Sequence, residues 1–127
     1  CCTSPLFGSV QMACAIEKYF EVLALGADSL ITVTPFQHYL MDESGPLNYA
    51  LPMSGALHSN SQDLPILHAF TNGILLAPLN SVRSWEYNYG PKAYRFEVSQ
   101  DSAIDIDTYY DYVAAKAWYE ISPEKYV

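Results

Sequence analysis

Three histidines, His38, His58 and His68, are the side chains best suited to exchanging protons near neutral pH, but spacings of 20 and 10 residues match no catalytic motif. His58 and His68 are close enough in sequence to meet across a loop. A thiol offers a second chemistry. Gln11-Met12-Ala13-Cys14 opens an expected helix, where the helix dipole favours a thiolate and a histidine would complete a nucleophile–base pair. Against a cysteine hydrolase, Cys14 lies a full turn inside the helix without small neighbours that would admit a substrate, so a disulfide or core role is favoured. Four acids, Asp101, Asp105, Asp107 and Asp111, could gather calcium. They lack the central glycine and bidentate glutamate of an EF-hand loop, and Asp107 reads better as a helix cap. No cysteine or histidine pair has zinc spacing, so no metal is expected.

The aromatic residues are the least ordinary feature. Eleven of the eighteen fall between Trp85 and Tyr126. Tyrosine presents a flat apolar face with a polar tip at small entropic cost, which suits protein, sugar or nucleotide surfaces. Tyr109 and Tyr110 are adjacent on one helix and cannot both face a core. Trp85, Tyr87, Tyr89, Tyr109, Tyr110 and Trp118 are therefore the candidate partner-binding residues.

The elements that must position them follow from periodicity and punctuation. Met12, Ile16, Tyr19 or Phe20, and Leu23 recur at three- and four-residue steps, predicting a helix from Val10 to Leu25 with Ser9 as N-cap and Gly26 as its left-handed end. Leu30-Ile31-Thr32-Val33-Thr34 is β-branched and stopped by Pro35, so it predicts a strand. From Asp42 to Pro78 the chain is broken by Pro46, Pro52, Pro65 and Pro78 and by Gly45, Gly55 and Gly73, leaving room for long loops and short strands at 49–51 and 74–76. Ser84 to Tyr89 and Lys92 to Val98 predict the two arms of a hairpin, the second with clear alternation. Ile104-Asp105-Ile106 is a further short segment. Asp107 or Thr108 caps a second long helix to about Trp118, and Tyr126-Val127 ends the chain as a stub. The expected fold class is α+β, a single domain over 1–127 with two helices packed on a mainly antiparallel sheet and an irregular middle.

Half of the 127 residues are apolar and 16% are charged, so the chain is not disordered. A net charge of −8 excludes a partner that must be gripped by its phosphates, and no nucleic acid is expected. No apolar run approaches the roughly 20 residues of a membrane-spanning helix. The chain opens Cys1-Cys2-Thr3 without an initiator methionine or a leader, reading as a processed chain or an excised domain. Cys1, Cys2 and Cys14 leave one thiol over if a disulfide forms. Vicinal closure is strained, so Cys1–Cys14 or Cys2–Cys14 is the expected pairing, and the odd cysteine could hold a partner chain or a lipid. Three plain thiols are the alternative. Extracellular or cell-surface placement is the expectation.

From Lys92 onward the chain resembles the C-terminal part of the ADP-ribosylating toxins, the catalytic chains of the pertussis and heat-labile enterotoxin family. Ala93-Tyr94-Arg95-Phe96-Glu97-Val98 is similar to the family's Y-x-Y-x-V strand, Ala103-Ile104-Asp105-Ile106-Asp107 to its IDV segment, and Ile121-Ser122-Pro123-Glu124-Lys125-Tyr126-Val127 to its I-P-P-E-N-I strand. The resemblance implies cleavage of NAD at its glycosidic bond. An arginine would hold the phosphates and a glutamate would stabilise positive charge on the ribose, with Arg95 and Glu120 the candidates. The family's Ser-Thr-Ser strand and Glu-x-Glu pair have no counterpart, so no catalytic residue is carried over by motif. The sequence therefore favours a non-enzymatic binding domain, without cofactor, that engages a protein or carbohydrate through a tyrosine-rich surface. An NAD-using transferase or glycohydrolase is the first alternative, and a hydrolase using Cys14 the second.

Overall fold

The computed structural model describes residues 3–51 and 60–126. The chain divides into two units, Cys1–Thr34 with Phe70–Val127, and Pro35–Ala69. The fold is α+β, as the sequence predicts.

In the first unit, helix α1 (Ser9–Ala24) starts one residue earlier than expected. Gly8 is its N-cap, and the Gln11 side chain accepts a hydrogen bond from the Gly8 N–H (3.2 Å), supplying a partner that a glycine cap lacks. Gly26 follows the helix with φ +98°, the left-handed conformation expected of it. Of the expected stripe Tyr19 is buried and Leu23 packs beside it, while Met12, Ile16 and Phe20 are exposed and Ala15 and Val22 complete the buried face. Ala15 has no exposed surface. Its small side chain lets the helix approach the sheet closely, while Gln11, on the same face, donates to Ser102 Oγ at 2.8 Å.

Strand β1 (Ser29–Phe36) runs on through Pro35 instead of stopping there. Its pairing with β5 ends at Val33, so the missing proline N–H removes no bond to that strand. β1 lies between β4 (Leu67–Leu76) and β5 (Ala93–Glu97) in a mixed sheet. β5 pairs with β1 in parallel, Ser29 opposite Ala93 and Val33 opposite Glu97, so the expected hairpin does not form. The first two residues of its first arm instead end helix α2 (Leu79–Trp85), which opens after Pro78 and is closed by Glu86 with φ +53°, and residues 86–89 are turn and bend. The β1–β5 register is set by a latch. Asp28 accepts from Lys92 N (2.9 Å), and Ser29 Oγ accepts from Gly90 N (3.0 Å) while donating to Asp28 (2.7 Å). Gly90 is required there, because a Cβ would lie 2.5 Å from Asp28 and 2.6 Å from Trp85.

Phe7, Ala15, Tyr19, Leu30 and Val98 form the main core. A second, smaller cluster joins Leu6, Ala115 and Tyr126, with Ile104 and Ile106 packed against it. Adjacent residues Leu6 and Phe7 thus serve different cores. Segment 104–106 is not a strand, although Ile106 N donates to Thr3 O at 2.8 Å. Helix α3 (Tyr109–Ile121) extends three residues past the expected end, and the chain closes in a 3-10 turn, Pro123–Tyr126.

In the unit Pro35–Ala69, β2 (Met41–Asp42) and β3 (Gly45–Pro46) make a short hairpin whose turn is closed by Ser44 N and Oγ donating to Asp42. Segment 49–51 is not a strand; Tyr39 and Tyr49 meet edge to face at 5.2 Å. Gln37 ties the unit's ends by donating to the carbonyls of Gln62 (3.0 Å) and Leu64 (2.7 Å). Gly55, Leu57 and His58 lie outside the described residues.

Candidate functional site

Helix α3 begins at a reciprocal cap. Thr108 Oγ1 accepts from Asp111 N, and the Asp111 carboxylate accepts from Thr108 N (2.8 Å) and Thr108 Oγ1 (2.7 Å). The donated hydroxyl and amide hold the Asp111 carboxyl below its ordinary range, so it is ionised at neutral pH. Thr108, not Asp107, is the cap. Ala115 is the one buried residue of this helix among those described. Tyr112 precedes it by three positions and Tyr119 follows by four, so both stand on the same face at its sides. Between them opens a cleft of about 330 Å³ lined by Pro5, Leu6, Ile106, Tyr112, Ala115, Lys116 and Tyr119. Its surface is almost wholly apolar. Lys116 turns toward Glu120, 3.7 Å away and well exposed.

Behind the cleft the C-terminal turn is braced. Tyr126 stacks on Tyr119 (6.4 Å between ring centroids, 29° between planes), and its hydroxyl donates to Asp101 at 2.6 Å. Lys125 Nζ lies 2.5 Å from the same carboxylate oxygen. Burial raises the Asp101 carboxyl, but hydrogen bonds from Lys125, Tyr126 and Ser99 outweigh it and hold the group well below the carboxylate range. Burial, then the hydrogen bond to Asp101, push the Tyr126 phenol up to about 12. The turn also lies against Gly8, where a Cβ would come 3.2 Å from Tyr126 Cα and 3.3 Å from Lys125 O.

The candidate aromatic residues divide. Tyr109 and Tyr110 are 80% and 81% exposed on the first turn of α3, and the Tyr109 ring lies 6.1 Å from that of Tyr112. Trp118 is also exposed on this helix but does not line the cleft. Tyr87 and Tyr89 form a separate cluster with Phe70, at ring separations of 5.1 and 5.8 Å. Trp85 is half-buried against Gly90, a packing role. Tyr112 and Tyr119, which line the cleft, are not among the six candidates. Their signal was the spacing 112–115–116–119, which puts them on one helical face with Ala115 between.

The candidate catalytic groups do not gather around this cleft. Arg95 is exposed on β5, Glu120 is paired with Lys116, and neither lines the cleft. Cys14 is exposed and free, not a core residue, while Cys1 and Cys2 lie outside the described residues. All three histidine positions fall in the unit Pro35–Ala69, whereas Cys14 belongs to the other. His38 packs on Phe36 with ring centroids 4.6 Å apart. The acidic run serves separate structural ends: Asp101 the C-terminal turn, Asp105 a bond from Asn72 (2.8 Å), Asp111 the helix cap. Among the described residues no three histidine, cysteine or acidic side chains are placed to share a metal ion, and no helix is long and apolar enough to cross a membrane.

The sequence matches no family model and no curated protein. What the chain does must be read from this site.

Proposed function

We propose that this chain is a non-catalytic binding domain that grips a protein partner through the aromatic face of α3, with one apolar side chain of the partner seated in the cleft between Tyr112 and Tyr119. The observation that carries the reading is a helix with Ala115 as its only buried residue, whose seven large apolar residues are all at least 45% exposed.

Magnitudes favour a partner with a broad surface. Covering the free half of one tyrosine ring removes roughly 100 Å² from water, worth about 2 kcal/mol. Association costs on the order of 4–15 kcal/mol in lost freedom, so several rings must be covered together. The 330 Å³ cleft is at the small end for a ligand pocket and suits a single side chain. A sugar would need polar groups beside the stacking ring, and this lining is almost wholly apolar. That favours protein over carbohydrate.

The test sets a random peptide-display library and a glycan array against the native chain and against the Tyr112→Ala/Tyr119→Ala double variant. Peptide binders lost on the double variant are the expected result. The reading fails if no peptide depends on the two tyrosines, or if glycans bind and peptides do not.

A further inference from the structure

We infer that the segment seated on α3 is basic: an apolar side chain fills the cleft and lysine or arginine residues flank it on both sides. This rests on the binding reading above and names the chemistry of its partner.

The argument is charge complementarity around an apolar centre. From Asp101 to Lys125 the chain carries six acids against two lysines, within a molecule of net charge −8. Both lysines already have acidic partners, Lys116 with Glu120 and Lys125 with Asp101. The remaining carboxylates stand at the two ends of the helix that forms one wall of the cleft. At its N-terminal end are Asp107, exposed, and Asp111, which follows the cap and adjoins Tyr112. At its C-terminal end is Glu124, exposed on the turn whose Tyr126 ring stacks on Tyr119. Glu124 is close enough for its charge to raise the Tyr126 phenol. Asp107 and Glu124 make no ion pair among the described residues. Lys116, the one charged residue of the lining, is paired with Glu120, so the cleft is apolar and the helix that walls it carries unpaired acids at both ends.

A second copy of this chain is a poor occupant, because it would bring the same negative charge against this face. A cationic segment gains at both ends and is drawn in at long range. The ends also suggest a spacing. Ten helical steps run from Asp111 to Ile121 at the end of α3, about 15 Å. An extended chain covers that in about four residues, so basic residues two before and two after the apolar anchor reach both ends.

The test sequences the display clones whose binding depends on Tyr112 and Tyr119, then measures synthetic copies by fluorescence anisotropy at low and high salt. Enrichment of lysine or arginine around an apolar centre is expected, with affinity falling as salt rises. The Asp107→Asn/Glu124→Gln variant, which removes one charge at each end and leaves the cleft lining and the Lys116–Glu120 pair intact, should bind these peptides about three- to tenfold more weakly at low salt. Tyrosine-dependent clones with no basic enrichment, or unaffected by salt and by the Asp107→Asn/Glu124→Gln variant, overturn this inference and leave the binding reading standing. So does a native chain that dimerises at micromolar concentration and becomes monomeric on Tyr112→Ala/Tyr119→Ala. Absence of any tyrosine-dependent clone removes the binding reading itself.

Discussion

Helices α1 and α3 each carry seven large apolar or aromatic residues, yet they use them differently. α1 buries Tyr19 and Val22 around Ala15 and half-buries Leu23. α3 buries Ala115 alone and leaves all seven exposed. Composition and helical period are nearly the same in both, so neither decides whether a face is covered. What differs is the neighbour. α1 lies on the core built from the sheet, through Leu30, Ile74, Phe96 and Val98. Among the described residues α3 packs its one buried side chain, Ala115, into a small cluster with Leu6 and Tyr126, two isoleucines beside them. α1 is thus held by packing. α3 is held by its cap, by one alanine and by a polar brace behind it, and its aromatic residues are left for something else to cover.

The comparison breaks most visibly at the two helices' own tyrosines. Tyr19→Ala should cost about 3 kcal/mol or more, because it opens a cavity in a core with no way to collapse. Urea denaturation measures this, and a loss below about 1 kcal/mol would mean that α1 is not the packed helix. The brace ranks next. Asp101→Asn should cost about 1–3 kcal/mol, since it weakens the partner of both Lys125 and the buried Tyr126 hydroxyl. Hydrogen exchange should quicken in α3 before α1.

The same brace dictates two pH limits. Asp101 has a lowered carboxyl in the folded chain, so the stability it confers is complete above about pH 4 and declines as the pH falls toward its native value. Tyr126 is shifted the other way. Its contribution is complete below pH 10 and is lost as the pH rises from 10 to about 12. Tyr126→Phe should reduce the alkaline limb of a melting-temperature profile, leaving the part that the buried Tyr19 phenol contributes, and only shrink the acid one. An alkaline limb unchanged in Tyr126→Phe would assign it to another group.

The helices show how far sequence reaches. The start of α3 at Asp107 or Thr108, though not which of the two caps it, and the left-handed Gly26 were legible because each depends on a few adjacent residues. So was β5, whose alternation is strong. Ser84 to Tyr89 misled because Trp85, Tyr87 and Tyr89 alternate like a strand. Pro78 starts a helix that consumes the first of them, and the other two pair with each other. The parallel register of β5 was hidden because it rests on Asp28 and Ser29, more than sixty residues away in sequence. In α1 the stripe shifted by one position because a small residue, Ala15, lies closest to the sheet, and a search for large residues passes over it. The cleft was missed for the same reason. Ala115 marks its centre, and the tyrosines that matter are those on its face, not the conspicuous neighbours Tyr109 and Tyr110.

Ala115→Leu sharpens the contrast between a filled helix face and an open one. The leucine side chain would enter the cleft instead of colliding with a closed core, so the stability cost should stay below about 1.5 kcal/mol. Ala15→Leu, with no cleft beside it, should cost more. Tyrosine-dependent peptide binding should nevertheless be lost in Ala115→Leu, because the added methyls occupy the partner's place. A protein that melts normally and still binds those peptides with native affinity would show that the cleft is not where they sit.

The smallest effect belongs to the residues that looked most promising in the sequence. Tyr110 is 81% exposed and Tyr109 80%, so truncating Tyr110 to alanine removes little packing and should change stability by no more than about 0.5 kcal/mol. Tyr19→Ala is the matched control, an identical substitution on the other helix. If Tyr110→Ala instead destabilises the chain as much as Tyr19→Ala does, the outer face of α3 is covered by something in the folded protein, and the two helices are not the open and closed pair that their surfaces describe. A neutral Tyr110→Ala that weakens peptide binding several-fold would extend the contact surface beyond the cleft to the first turn of α3, where Asp107 and Asp111 stand ready for a basic flank.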